Sequence, residues 1–373
     1  MDLLRPACRR SAPRWKLLTR AAICFLLVCA ALASDVAGPR EERSILARRL
    51  VLGGAAVGYR YHLVGNPGDV VTATRPGLVL EGGGTDIDES FRWMIDRSGG
   101  GDFLVIRTSG TDAYNKDLFN MTTPRGGRAD SVATLIVTSR AASFDPFVAR
   151  TIRSAEALWI AGGDQARHYA LWRRSPVADA IHDLVARGVP VGGTSSGLAI
   201  MGEYIYTSEG DRPKEPHLTS TEALRDPYHA RVTVRDDFLH LPFLAGALLE
   251  PHFVQESRYG RMAVFLNQIA AGRRGREARG IGIDRKTALL VEPDGSARVI
   301  TGPDHPHGKV ILFRLAAPSV LSDQSRIPLV AEFEALEFRS EDTIDLLHWR
   351  GTEATAFRMS FDGKDLRTAL LQN

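Results

Sequence analysis

Short apolar runs that close in glycine or a small polar residue constrain this chain more than any other feature of its sequence. Gly77–Glu81 (GLVLE) runs into Gly82-Gly83-Gly84, and Phe103–Arg107 (FLVIR) into Thr108-Ser109-Gly110. Ala133–Thr138 (ATLIVT) follows, then Ala157–Ala161 (ALWIA) into Gly162-Gly163-Asp164-Gln165, then Val189 and Val191 into Gly192-Gly193. Between them lie helix-compatible stretches: Ile87–Arg97, Phe147–Ser154 and one long stretch, Ala166–Gly188. Continuous apolar strands alternating with helices imply a parallel sheet covered on both faces. The expected class is α/β, a three-layer sandwich with a mostly parallel central sheet and a small β-rich C-terminal appendage. In such sheets ligands bind outside the carboxyl ends of the strands, where these glycine and polar residues fall.

The last of these runs carries chemistry. Gly193-Thr194-Ser195-Ser196-Gly197 is a G-x-S-x-G turn between an apolar strand and a helix-compatible segment, LAIMGEYIY. A serine on a strand-to-helix turn has an exposed hydroxyl, and the next amide points where an oxyanion would form. The alternative is a glycine-rich turn with no catalytic duty. A second oxyanion donor is needed beside the Ser196 amide, and the Gly162-Gly163 turn is its natural source.

The N-terminus reads as an export signal. Arg5, Arg9, Arg10, Arg14, Lys16 and Arg20 precede the apolar run Ala21–Ala33, which closes in Ala31-Leu32-Ala33. That is the order of a secretory signal peptide, and the run is short of the ~20 apolar residues a membrane span needs. The expected location is therefore secreted or periplasmic, with no stable membrane insertion after cleavage. Removing six basic and one acidic residue from totals of 47 and 44 leaves 41 and 43, a net charge of −2. No basic footprint for nucleic acid remains. Cys8, Cys24 and Cys29 all lie in the same segment, so the mature chain offers no disulfide and no thiolate nucleophile. The expected organisation is residues 1–33 signal, 34–60 a loosely packed lead-in, 61–315 the catalytic domain and 316–373 the β-rich appendage. No cofactor or metal is expected, a peptide is the expected substrate, and a homodimer is left open.

A serine nucleophile needs a base within hydrogen-bond reach. His62, His168, His182, His217, His229 and His240 sit where surface or capping roles are expected, and His305-Pro306-His307 lies in a Gly/Pro loop without nearby carboxylates. His252 differs. It follows the apolar approach Leu244–Leu249, precedes Phe253, and is surrounded by Glu250, Glu256, Arg258 and Arg261. A core histidine beside surface charges is the competing reading.

Five motifs in order then carry a resemblance. They are Gly82-Gly83-Gly84, Gly162-Gly163-Asp164-Gln165, Gly193–Gly197, His252-Phe253 with Arg258 and Arg261, and Gly280-Ile281-Gly282-Ile283-Asp284. Together they resemble the cyanophycinase group of serine peptidases, related to peptidase E and, in fold, to class I glutamine amidotransferases. The similarity runs from about residue 60 to 315, and the C-terminal part resembles that of exported cyanophycinase-like proteins. The resemblance implies Ser195 as nucleophile and His252 as base, with the Gly163 and Ser196 amides holding the oxyanion. It further implies that Gln165, Arg258 and Arg261 grip substrate, and that a glutamate after the nucleophile orients the base. Glu222 is preferred for that acid, ahead of Glu209 and Glu215. Two departures bear on substrate: Pro251 and Glu256 stand where the group carries glutamine and arginine. A β-aspartyl-arginine unit would have been held by those two, so substrate choice is expected to have moved.

Three functions follow: an exported serine hydrolase cutting a peptide or isopeptide bond, a non-catalytic binding protein of the same fold, and an α/β-hydrolase esterase using His348. The first requires His252 near Ser195, and the third requires His348 there.

Overall fold

The computed structural model describes residues 50–54, 57–211, 217–272, 277–317, 330–362 and 366–371. The signal peptide, most of the lead-in and Glu215 lie outside the described residues. The strands are β1 (Leu50–Gly54), β2 (Tyr59–Gly65), β3 (Leu78–Glu81), β4 (Asp102–Arg107), β5 (Ser131–Val137), β6 (Ala157–Ile160) and β7 (Val191–Thr194). After them come β8 (Ile205–Tyr206), β9 (Val234–Arg235), β10 (Ala247–Glu250), β11 (Arg279–Ile283), β12 (Thr287–Val291), β13 (Ser296–Thr301) and β14 (Val310–Ala317). The C-terminal part adds β15 (Val330–Phe338), β16 (Thr343–Asp345), β17 (Arg350–Gly351), β18 (Thr355–Asp362) and β19 (Leu366–Leu370).

The larger sheet has the order β1-β2-β5-β4-β6-β7-β3-β12-β13-β16-β17. Its five central strands, β5 to β3, pair in parallel, and antiparallel strands extend it on both sides. Strands β5 and β6 and the short β7 are buried along their whole length, as continuous apolar runs demand. Asp88–Arg97 packs Phe91 and Met94 with Phe103 and Trp159, whereas Tyr169, Trp172 and Ile181 from later helices join the core holding Leu104 and Leu158. Val105 and Leu104 are neighbours on one strand and lie in these two separate cores, so helices cover both faces.

Three expectations change. The stretch Ala166–Gly188 is two helices, Gln165–Trp172 and Pro176–Ala186, because Pro176 cannot continue the first and Ser175 caps the second by accepting from the Val177 amide. The lead-in is not loose from Leu50 onward, since β1 pairs with β2 and β2 with β5. The C-terminal residues add to both sheets: β16 pairs with β13, while β15 pairs with β14 in a second sheet ordered β10-β11-β14-β15-β18-β19. A boundary between 315 and 316 would cut β14, whose Arg314, Leu315 and Ala317 are all in the ladder with β15.

Candidate active site

Ser195 sits at the carboxyl end of β7, between β6 and β3. Its backbone has φ 53° and ψ −122°, a conformation outside the ordinary regions for a residue with a side chain. The flanking glycine at 197 has a packing reason: a Cβ there would lie 2.0 Å from the Ile160 carbonyl oxygen. Ser196 opens the short helix Ser196–Ala199, so its amide has no carbonyl one turn behind it. The neighbouring strands bring glycine turns to the serine from both sides. A Cβ on Gly162 would lie 3.3 Å from Ser195 Cβ, and one on Gly83 would lie 2.8 Å from it.

His252 arrives from the second sheet. It follows β10 with φ 48°, and its amide donates to the Gly82 carbonyl at 2.9 Å. The next residue, Phe253, is wholly buried against Tyr259 and Phe313. Asp284 fixes the turn by accepting from the Val254 amide at 2.9 Å and the Lys309 amide at 3.1 Å. The result places His252 Nε2 2.8 Å from Ser195 Oγ. Burial, then the Arg258 and Arg285 cations, push the imidazole pKa down to about 4, against the pull of Glu256.

The other nitrogen of the ring has an unexpected partner. Arg285 Nε donates to His252 Nδ1 at 3.0 Å, in the place an orienting carboxylate would take. Arg285 Nη2 also donates to Glu256 Oε1 at 2.9 Å, and its amide donates to Gln255 Oε1 at 3.0 Å. Sequence reasoning singled out neither Arg285 nor this role for Glu256. The only signal was position: Arg285 directly follows the Gly280–Asp284 motif.

Glu222 is not brought to His252. It is the third residue of helix Ser220–Arg225, where it forms a capping box with Thr219 and pairs with Arg231 at 3.3 Å. Its sequence context, Thr219-x-x-Glu222, is the capping-box pattern itself. Glu209 is also engaged elsewhere, accepting from Thr207 Oγ1 at 2.9 Å and pairing with Arg235 at 3.4 Å.

The arginines Arg258 and Arg261 are not presented to substrate. Both are buried and turned onto Glu250, itself 1% exposed; Arg261 Nε lies 2.7 Å from Glu250 Oε2 and Arg258 Nη1 3.4 Å from it. Arg258 also pairs with Glu256, and Arg261 Nη1 donates to the Leu218 carbonyl. Gln165 likewise spends its amide on the Tyr206 carbonyl at 2.5 Å. Gly163 lies in the turn beside Ser195, with buried His168 behind it; burial pushes that imidazole down to about 3. His348 is on the far edge of the sheet, bound to Asp345 at 2.7 Å, so the esterase geometry is not formed.

A carboxyl pair supports the elbow from below. Glu81, fully buried, accepts from the Ile87 amide and Ser90 Oγ, and its own carbonyl accepts from the Ser195 amide at 3.1 Å. Asp86 accepts from Thr194 Oγ1 at 2.8 Å and Tyr114 Oη at 2.5 Å. Burial and mutual repulsion raise the Glu81 pKa well above the usual range, and burial raises that of Asp86. Among the described residues no group of three or more His, Cys, Asp or Glu is placed to hold a metal ion, and no helix is long and apolar enough to cross a membrane.

Residues 133–299 match the model of peptidase family S51. That span holds Ser195, His252 and Gly280–Asp284, the turn serine, the ring beside it and the strand that seats the ring. Over that span the chain is similar to cyanophycinases. Cyanophycinase from Synechococcus elongatus is 31% identical to it over 171 residues, 45% of this chain and 46% of the relative. Cyanophycinase from Geminocystis herdmanii is 26% identical over 175 residues, 46% of this chain and 56% of the relative. The chain thus spans about half the length of those curated relatives. The crystal structure of a peptidase from an acI-B1 Actinobacterium overlays with a TM-score of 0.48 at 16% identity, covering 73% of this chain and 98% of that one.

Proposed function

We propose that this chain is a serine-type hydrolase that cleaves a peptide or isopeptide bond through an acyl-enzyme on Ser195. The observation that carries the reading is the 2.8 Å contact between Ser195 Oγ and His252 Nε2 at a strained strand-to-helix turn. His252 takes the hydroxyl proton as Oγ attacks the carbonyl carbon. The Ser196 amide and the Gly162-Gly163 turn hold the oxygen that becomes negative. The ring then returns its proton to the leaving amine, and water repeats the sequence on the ester. A β-aspartyl bond is one substrate form consistent with the cyanophycinase relatives, and the N-terminal segment supports export to the periplasm or beyond.

A neutral fluorophosphonate should label the wild-type chain at Ser195 and leave Ser195→Ala unlabelled. Cleavage of cyanophycin and of a β-aspartyl dipeptide series then assigns the substrate. Absence of labelling in folded wild type, both with and without an added dicarboxylate such as succinate, sinks the hydrolase reading and favours a binding protein. One observation already favours that second reading, the guanidinium in the place of the orienting acid.

A further inference from the structure

The hydrogen bond from Arg285 to His252 has a consequence for the proton inventory of the pair. A guanidinium stays protonated in proteins, so Arg285 Nε donates and His252 Nδ1 accepts. A neutral imidazole that accepts at Nδ1 carries its proton on Nε2. In that tautomer Nε2–H donates to Ser195 Oγ and offers no lone pair for the hydroxyl proton. The 2.8 Å contact is then a hydrogen bond of the wrong sense for a general base.

Arg285 is built to leave. Its side chain is 47% exposed, and its other side-chain partner is already a carboxylate, Glu256 Oε1 at 2.9 Å. Lys286 beside it adds a second cation, paired with exposed Asp304. A guanidinium–carboxylate pair adds full charge–charge attraction, and often bidentate geometry, that a neutral acceptor such as Nδ1 does not offer. An incoming carboxylate therefore outcompetes the ring for the Nε–H.

We propose that Arg285 is a substrate-reading gate on the base: a carboxylate carried by the substrate draws the guanidinium off His252 Nδ1 and so permits the tautomer that accepts the Ser195 proton. The Nε–H···Nδ1 bond breaks and a guanidinium–carboxylate pair forms. Water delivers a proton to Nδ1 and takes one from Nε2, so the ring's charge is unchanged. Glu256, whose amide donates to the His252 carbonyl at 3.0 Å and whose Oε1 shares Arg285 with the ring, is the carboxylate on this segment that the new Nδ1–H would face. Substrates with a side-chain or terminal carboxylate near the scissile bond are thereby selected at the chemical step. This inference rests on the hydrolase reading of the Ser195–His252 pair.

The test compares wild type with Arg285→Met and Arg285→Lys by two readouts. One is the rate at which a neutral fluorophosphonate labels Ser195, with and without succinate. The other is the 15N NMR signature of the His252 ring. The expected result is Nε2–H in wild type, Nδ1–H in Arg285→Met, and labelling faster in that variant by roughly 10- to 100-fold, the range of one charge-assisted hydrogen bond. Succinate should speed wild type and Arg285→Lys and leave Arg285→Met unchanged. Ester substrates with a side-chain carboxylate and a blocked terminus, or the reverse, identify which carboxylate is read. A wild-type ring already in the Nδ1–H form, or equal labelling rates with no succinate response, overturns the gate. A ring that switches tautomer in proteins that never label supports the lock and refutes the hydrolase.

Discussion

Substituting Gly83 by alanine should separate the serine from its base. The residue has φ +88°, and a Cβ there would lie 2.4 Å from His252 Cε1, 2.8 Å from Nε2 and 2.8 Å from Ser195 Cβ. Two costs are involved. The left-handed backbone costs an alanine about 1–2 kcal/mol, and forcing a methyl into a filled site costs a further ~1–3 kcal/mol. Gly84→Ala isolates the first cost. Its φ is +92°, but its Cβ would meet Arg285 Cβ at 3.4 Å and Lys286 Cγ at 3.5 Å, which is ordinary contact. Both variants should therefore lose a few degrees of Tm. Only Gly83→Ala should also lose reactivity, by about 100-fold for a displacement near 1 Å. The assay is fluorophosphonate labelling of Ser195 beside a thermal melt. If Gly83→Ala labels as fast as Gly84→Ala at equal Tm, the triglycine loop does not abut the Ser195–His252 pair and the proposed site geometry is refuted.

Glu222→Ala should cost about 0.5–2 kcal/mol through loss of the capping box, seen in urea unfolding, and leave the Ser195 labelling rate unchanged; a large rate loss would reinstate it as the orienting acid. Glu250→Ala should be far more damaging, about 3–5 kcal/mol, because Arg258 and Arg261 would remain buried without their shared carboxylate; Glu250→Gln should recover part of that. The pH profile of labelling should have its acid limb near 4 rather than 6.5, since the ring stays neutral until its depressed pKa is reached. The same shift implies that the unfolded ring takes a proton the folded one refuses, so this contribution to stability is lost as pH falls from 6.5 towards 4. A limb near 6.5 would show that the ring is neither buried nor flanked by cations.

The alternation of apolar runs and glycine turns made the parallel sheet legible, because burial on both faces leaves a continuous apolar imprint on β3 to β7. Ser195 and His252 were legible for a related reason: each stands where an apolar run ends. The misassigned residues are of another kind. Arg258 and Arg261 are charged groups whose shared partner, Glu250, is fixed by how helix Tyr259–Gly272 packs against the second sheet, whereas Glu222 is taken up locally by the capping box with Thr219. Charge in a sequence does not say whether a side chain faces substrate or a buried counter-ion. The β-rich C-terminal run was visible, but strand pairing across the chain, β16 to β13 and β15 to β14, is a non-local choice that short-range patterns do not encode.

The two sheets divide the chemistry between them. Ser195 and the Gly162-Gly163 turn belong to the larger sheet, whereas His252, Asp284 and Arg285 follow strands β10 and β11 of the second. What ties the two halves is the triglycine loop after β3. Gly82 accepts from the His252 amide at 2.9 Å, Gly83 accepts from the Lys286 amide at 2.7 Å, and the Gly82 amide donates to the Thr287 carbonyl at 2.9 Å. A Cβ on Gly82 would lie 2.0 Å from the Asp284 carbonyl oxygen, so the loop can approach that closely only without side chains. The triglycine is thus more than a turn. It helps set the 2.8 Å between Ser195 Oγ and His252 Nε2, and it anchors the segment that carries Arg285. Any small shift of the second sheet relative to the first would therefore move the His252–Ser195 contact and the Arg285 segment together.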